Sequence, residues 1–289
     1  MLSLHTNNAA LSAQNSISRT QSTLSTSMTR LSTGYRINSA MDDAAGLQIA
    51  SRLKAQTSGM TVAMRNTQNS TSMLQTAEGA LDEVSNMLIR MKDLATQAAD
   101  ASSTADDKTA MQAEYDALGK ELGNVLKNTT FAGANLLAGT NGTLGTAALT
   151  FQIGASSSET MSVDLSGAMA AVTTAVNTAT AKYDTPAGAG TEIATNTAAT
   201  TAIGNLTTAL DKVSTLRSDL GAAANRLEHV YNNLANISTN TKAATGQIMD
   251  VDFASESANM TSNQMLLQAS TAMLKQSNSM SSMVMSLLQ

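Results

Sequence analysis

A seven-residue repeat, sustained from about residue 43 to 100, most limits what this chain can fold into. Leu53, Met60, Thr67, Leu74, Leu81, Leu88 and Ala95 fall seven apart. Ile49, Ala63, Ala77, Val84, Met91 and Ala98 form a second row three or four residues away. Two such rows make the apolar seam of a single coiled-coil helix. At 1.5 Å per residue that helix is roughly 85 Å long, too long to be enclosed by a globular domain. The face between the rows is Thr, Asn, Gln and scattered charge, as a solvated side requires.

Two further seams supply partners for it. Met111, Tyr115, Leu118, Leu122 and Val125 follow a 4-3-4-3 spacing, with Asp106 and Asp107 near the start, where negative charge favours a helix N-terminus. The turn-forming residues ahead of them predict that this helix folds back antiparallel to the first. Leu206, Ala209, Val213, Leu216, Leu220, Ala223, Leu227, Val230, Leu234 and Ile237 mark a third helix, from about 197 to 245. Between the second and third seams the period changes. Leu149–Ile153 and Met161–Leu165 alternate around GASSSE, the pattern of a β-hairpin over about 149–165. Residues 167–196 are Ala- and Thr-rich, contain the single proline, Pro186, and read as an exposed loop or weak helix.

The expected fold is mainly α: a long antiparallel coiled-coil helical rod with a small β-hairpin region and paired N- and C-terminal helices. Composition agrees with narrow seams rather than a bulky core. Ala 48, Thr 39, Ser 33 and Asn 22 make up about half of the 289 residues, and aromatics are 2%. A net charge of -5 leaves no basic footprint for nucleic acid. The absence of Cys excludes disulfides and thiolate chemistry. No stretch approaches the ~20 apolar residues of a membrane span, so no membrane partner is expected. The start has no charged and apolar regions of the secretory type, which predicts export by a route that reads no cleaved signal peptide.

Both ends are amphipathic and nearly uncharged. Ala10, Ile17, Leu24 and Leu31 repeat every seven residues, with Met28 beside them. Leu266, Met273, Met280 and Leu287 repeat likewise, and Met260, Leu267 and Leu274 form a neighbouring row. Isolated helices of this kind are marginal in water. Either the two ends complete one intramolecular bundle, or they fold on association with copies of the same chain, where apolar stripes at both ends lead to a non-closing, filamentous contact.

The segment LHTNNAALSAQNSISRTQSTLSTSMTRLSTGYRINSAMDDAAGLQIASRL resembles the start of bacterial flagellins, and LRSDLGAAANRLEHVYNNLANIST, DVDFASESANMTSNQMLLQAS and the final LLQ resemble their C-terminal region. The resemblance covers about residues 1–165 and 197–289, as in a short flagellin with core domains only, and the 18 methionines lean toward a lateral-type member. It implies an inner coiled-coil domain from about 1–42 and 246–289 and an outer core domain over about 43–245. It further implies secretion through the flagellar type III apparatus, a homopolymeric helical filament for motility, and encounters with an export chaperone, a filament cap and hook-junction proteins. On this view Ile17, Leu24, Leu31, Leu266, Met273, Leu274, Met280 and Leu287 carry polymerisation. A secreted coiled-coil hook–filament junction protein, or another type III-exported interaction protein, is the alternative class.

The resemblance also places a patch read by the flagellin-sensing Toll-like receptor on IRMKDLATQ. Arg90, Leu94 and Gln97 match the family, Glu114 lies on the facing helix, and Lys92 and Asp93 stand where the family has Arg and Glu. The plainer alternative makes Arg90, Lys92 and Asp93 a solvated face and Leu94 the edge of the seam. No catalytic, metal or cofactor site is expected. His5 and His229 are far apart, no HExxH occurs, and Asp42-Asp43 suits a helix start.

Overall fold

The computed structural model describes residues 7–183 and 188–287; the side chains of Thr140, Ser281, Ser282 and residues 284–287 lie outside that description. Pro186 also lies outside the described residues. The helices are α1 (Asn8–Thr33), α2 (Ala44–Ala99), α3 (Ala105–Asn128), α4 (Thr143–Thr146), α5 (Ser166–Ala179), α6 (Asn196–Met249) and α7 (Phe253–Leu287). Two antiparallel strand pairs accompany them: β1 (Thr130–Phe131) with β2 (Ala134–Asn135), and β3 (Leu149–Gln152) with β4 (Thr160–Val163). The fold is thus mainly α, with the predicted hairpin in place and Leu149 opposite Val163.

The chain divides into two compact units, residues 1–57 with 239–289, and residues 58–238. In the second unit the chain doubles back twice. Arg90 on α2 pairs with Glu114 on α3, which makes those helices antiparallel neighbours across the turn at 100–104. Asn196, opening α6, donates to the Ala99 carbonyl closing α2, and Arg217 meets Glu78 and Asp82, so α6 runs back along α2. Leu74, Leu81, Leu88, Tyr115, Leu122, Leu206, Leu216 and Leu227 join in one fully buried core.

Threonine and serine fit these seams because their hydroxyls bond within the helix. Thr67 is 1% exposed, and its Oγ1 donates to the Ala63 carbonyl at 2.8 Å. Ser85 does the same to Leu81 at 3.0 Å. A hydroxyl satisfied in this way avoids the penalty of an unpaired buried donor, so half a chain of small residues is compatible with long helices. Helix ends are equally local in origin. Thr104 and Asp107 form a reciprocal capping box at the start of α3, and Gly34 takes φ 77 to close α1, its N–H donating to the Arg30 carbonyl at 2.9 Å.

Three expectations need correction. Ile49 is 49% exposed; Ala50 and Thr57 are buried instead, because residues 44–57 belong to the other compact unit and bury a different line of the helix. Ile237 is 38% exposed while Ser238 is buried. A straight helix turns about 20° per heptad against a seven-residue repeat, so the row from Leu216 through Ala223 and Val230 has rotated outward by Ile237. Within residues 167–196, expected as an exposed loop or weak helix, the chain forms the helix α5, and it is not exposed: Met169, Val172, Ala175, Val176 and Ala179 are buried in the core.

Candidate functional site

The first compact unit holds the segments that carry the predicted polymerisation residues. Asn7 caps α1, accepting from the Ala10 N–H at 3.1 Å, and its Nδ2 donates to the Ser277 carbonyl and hydroxyl of α7 at 3.3 and 3.2 Å. Arg30, near the other end of α1, lies 3.8 Å from Glu256 near the start of α7. These two crosslinks make α1 and α7 an antiparallel pair. The chain entering and leaving it is stitched by Arg36 N–H to the Met249 carbonyl at 2.6 Å and Val251 N–H to the Gly34 carbonyl at 3.0 Å.

Each helix turns one row toward this pairing. On α1 the row is Ala10, Ala13, Ile17, Thr20, Leu24, Ser27 and Leu31, partly or fully buried; on α7 it is Glu256, Met260, Asn263, Leu267, Ser270, Leu274 and Ser277. The structure therefore separates the sequence-predicted residues into two groups. Ile17, Leu24, Leu31 and Leu274 lie half-buried within the helix pair. Leu266, Met273 and Met280 are 53%, 68% and 54% exposed. Leu266 and Met273 each precede a seam residue by one position, so this second row sits about 100° around the helix from the first. The side chain of Leu287 lies outside the described residues.

Among the described residues, then, α7 pairs along one row and leaves Leu266, Met273 and Met280 of the other more than half exposed. Leu11 and Met28 on α1 are likewise exposed, at 48% and 56%. Among the described residues no group of three or more His, Cys, Asp or Glu could hold a metal, and no helix is long and apolar enough to cross a membrane.

The second predicted site lies in the other unit. Arg90 Nε and Nη2 both donate to Glu114 Oε1, at 2.9 and 2.7 Å, with both side chains about half exposed. A pair so solvated contributes at most about 1 kcal/mol. Leu94 is 3% exposed and packs in the core, so the solvent-facing part of the trio is the ion pair. Elsewhere in this unit, a buried polar cluster was not legible in the sequence. Gln112 Nε2 donates to Asp116 Oδ1 at 2.8 Å and to Glu192 Oε2 at 2.9 Å, while Gly190 N–H donates to Asp116 Oδ2 at 2.7 Å. Tyr115 donates to the Ala179 carbonyl at 2.7 Å, and burial, then the charges of Glu192 and Asp116, push its phenol well above the ordinary tyrosine range. Together these groups pin Ala179, Gly190 and Glu192 to α3, a partnership between distant segments that leaves no periodic trace.

Comparison with known proteins bears on the helical ends first. Residues 4–142 match the bacterial flagellin N-terminal helical region and residues 203–288 the bacterial flagellin C-terminal helical region. A flagellin of Halalkalibacterium halodurans is 40% identical over 262 residues, covering 91% of this chain and 90% of the relative. A Bacillus subtilis flagellin is 38% identical over 300 residues, covering 98% of each, and a Vibrio anguillarum flagellin A is 33% identical over 382, covering 100% of each. Among solved structures, a putative flagellar hook-associated protein from Vibrio parahaemolyticus shares the fold at TM-score 0.55, with 16% identity over 72% of this chain and 100% of its own. Flagellin helical regions at both ends, with full-length relatives at a third or more identity, show that the chain belongs to the bacterial flagellin family and is a structural subunit of the flagellar filament.

Proposed function

We propose that filament growth runs through the outward row of α7, with Leu266, Met273 and Met280 packing on a second copy of this chain, while Ile17, Leu24, Leu31 and Leu274 act from inside the α1–α7 pair by holding that row in register. In the sequence Leu287 continues the seven-residue repeat of Leu266, Met273 and Met280. The observation that carries this reading is the exposure of Leu266, Met273 and Met280 on a helix whose other row is already occupied. Fully burying such a side chain contributes about 1.5–3 kcal/mol, so with about half of each still open the three together supply a few kcal/mol toward subunit addition. The inner filament domain then comprises about 1–42 and 246–289, and the outer core domain about 43–245. Export through the flagellar type III apparatus to the cell exterior, with a chaperone, the filament cap and hook-junction proteins as transient partners of the terminal helices, belongs to the same proposal, as does a role in motility.

Leu266→Asp tests the row directly. The aspartate stays solvated in the monomer, so the α1–α7 pair keeps its circular dichroism, but it must desolvate a charge at the interface. Purified L266D is expected not to sediment after seeding with filament fragments, whereas normal elongation would remove the row from the assembly surface. Leu274→Asp is expected to block elongation as well, with loss of helicity in the pair. For the flagellin-sensing Toll-like receptor, the proposed contact is the exposed Arg90–Glu114 pair, with Leu94 supporting α2 from beneath. Arg90→Ala is then expected to reduce receptor activation without changing filament yield.

A further inference from the structure

We propose that Met265, Met273 and Met280, on the outward side of α7, form an oxidation-sensitive patch through which a peroxide-class oxidant arrests subunit addition. This rests on the assembly role proposed above for the Leu266 row. Exposure sets the selectivity. Met265, Met273 and Met280 are 60%, 68% and 54% exposed, whereas Met60, Met87, Met91, Met111, Met161 and Met169 are each at most 8% exposed. Thioether oxidation follows solvent access, so the core methionines are shielded while the α7 patch is open to attack.

The chemistry is a two-electron oxygen transfer. A lone pair on Sδ attacks one peroxide oxygen, the O–O bond breaks, and an S–O bond forms. The departing hydroxide takes up the proton left on the transferred oxygen and leaves as water. Sulfur is oxidised by two electrons and the peroxide is reduced by two. The product replaces a flexible apolar side chain by a polar, chiral sulfoxide, which must be desolvated if the row is to pack on another subunit. In the monomer the sulfoxide oxygen remains in water, because none of the three lies in the half-buried row facing α1. Oxidation therefore spares the subunit fold and acts on assembly. A subunit already seated in a filament is protected by the neighbour that covers its row. The patch thus discriminates free subunits from assembled ones.

The test treats full-length monomer with hydrogen peroxide, assigns sulfoxides by peptide mass spectrometry, and measures seeded elongation by sedimentation. Wild type carrying sulfoxide at the three positions is expected to elongate roughly tenfold more slowly or less, given the apolar burial lost at each. The Met265→Leu/Met273→Leu/Met280→Leu variant keeps side-chain volume and is expected to elongate equally before and after peroxide. Met28, Met41 and Met283 are also open, at 56%, 97% and 59%, so the Met28→Leu/Met41→Leu/Met283→Leu variant serves as the control and should lose elongation as wild type does. Oxidised wild type that elongates at the untreated rate overturns the proposal, as does protection by the Met28/Met41/Met283 variant. If L266D fails to elongate while oxidised wild type succeeds, only the oxidation proposal falls; if L266D elongates normally, the assembly reading falls with it.

Discussion

Arg30 brings a guanidinium to the α1–α7 seam, where its Nη1 lies 3.8 Å from Glu256 Oε2 and its Nη2 lies 3.9 Å from Asp42 Oδ1. Its buried Nε has no hydrogen-bond partner among the described residues. At these separations the attraction is coulombic rather than hydrogen-bonded. Glu256 is only 8% exposed, so removing its cation strands a carboxylate in a poorly hydrated place. Arg30→Ala is therefore expected to weaken the helix pair by about 1–3 kcal/mol. Hydrogen exchange of α7 amides in the monomer should accelerate correspondingly. Arg30→Met with Glu256→Met removes both charges and should recover most of the loss. Exchange unchanged in R30A would mean that the ion pair contributes nothing to the seam. Neither residue is marked by the heptads, because an ion pair between remote segments has no sequence period. The rows of α7 illustrate the complementary limit: both were legible as repeats, but which one meets α1 depends on the partner helix.

At the scale of elements, helix starts respond to pH through their caps. Asp252 accepts from the Ser255 hydroxyl and from the Ala254 and Ser255 N–H groups at the head of α7, and these bonds hold its carboxyl below the usual 3.8. Asp107 is held low at α3 by the Thr104 hydroxyl and N–H. Because the folded values are depressed, their stabilisation is complete above the unfolded value and disappears as pH falls through the folded one. Acidifying the monomer below about pH 4 should fray the first turns of α3 and α7, read as loss of far-UV circular dichroism. Asp252→Asn, which keeps an acceptor without the titration, should flatten the α7 part of that loss; an unchanged acid profile would assign it elsewhere. The Asp106-Asp107 start was legible, as were α2, α3, α6 and the hairpin, because long repeats and clear alternation average over many residues. α5 was not. Its Ala and Thr side chains give little contrast between faces, and its partners, residues 139–146, Tyr115 of α3 and Asn205 of α6, lie elsewhere in the chain. Ile49 and Ile237 failed for a geometric reason, since a linear repeat cannot show where the buried line moves around a helix.

Over the whole molecule, the two compact units differ in how much apolar surface they close. Residues 58–238 bury a continuous core in which Leu81, Val84, Met91, Leu122, Val172, Val213 and Leu216 are essentially inaccessible. In α1 and α7 the pairing rows are mostly half-buried, and the fully buried members are Ser27 and Glu256. Local opening costs least where few apolar contacts must be broken, so the terminal helices open far more often than the 58–238 core. A protease at trace concentration cleaves the open population when closing is fast. Soluble monomer is therefore expected to lose both ends first, leaving a resistant fragment near 43–245 that mass spectrometry can delimit. Ends and core cleaved at equal rates would show that the α1–α7 pair is already complete without neighbours. Assembly should reverse the order of vulnerability: once the outward row of α7 is covered, opening that helix requires breaking intersubunit contacts too, and its cleavage should slow by the factor that subunit burial adds to its stability. Protection of the ends in filaments, against their loss in monomer, would tie the thin terminal seams to the polymer that completes them.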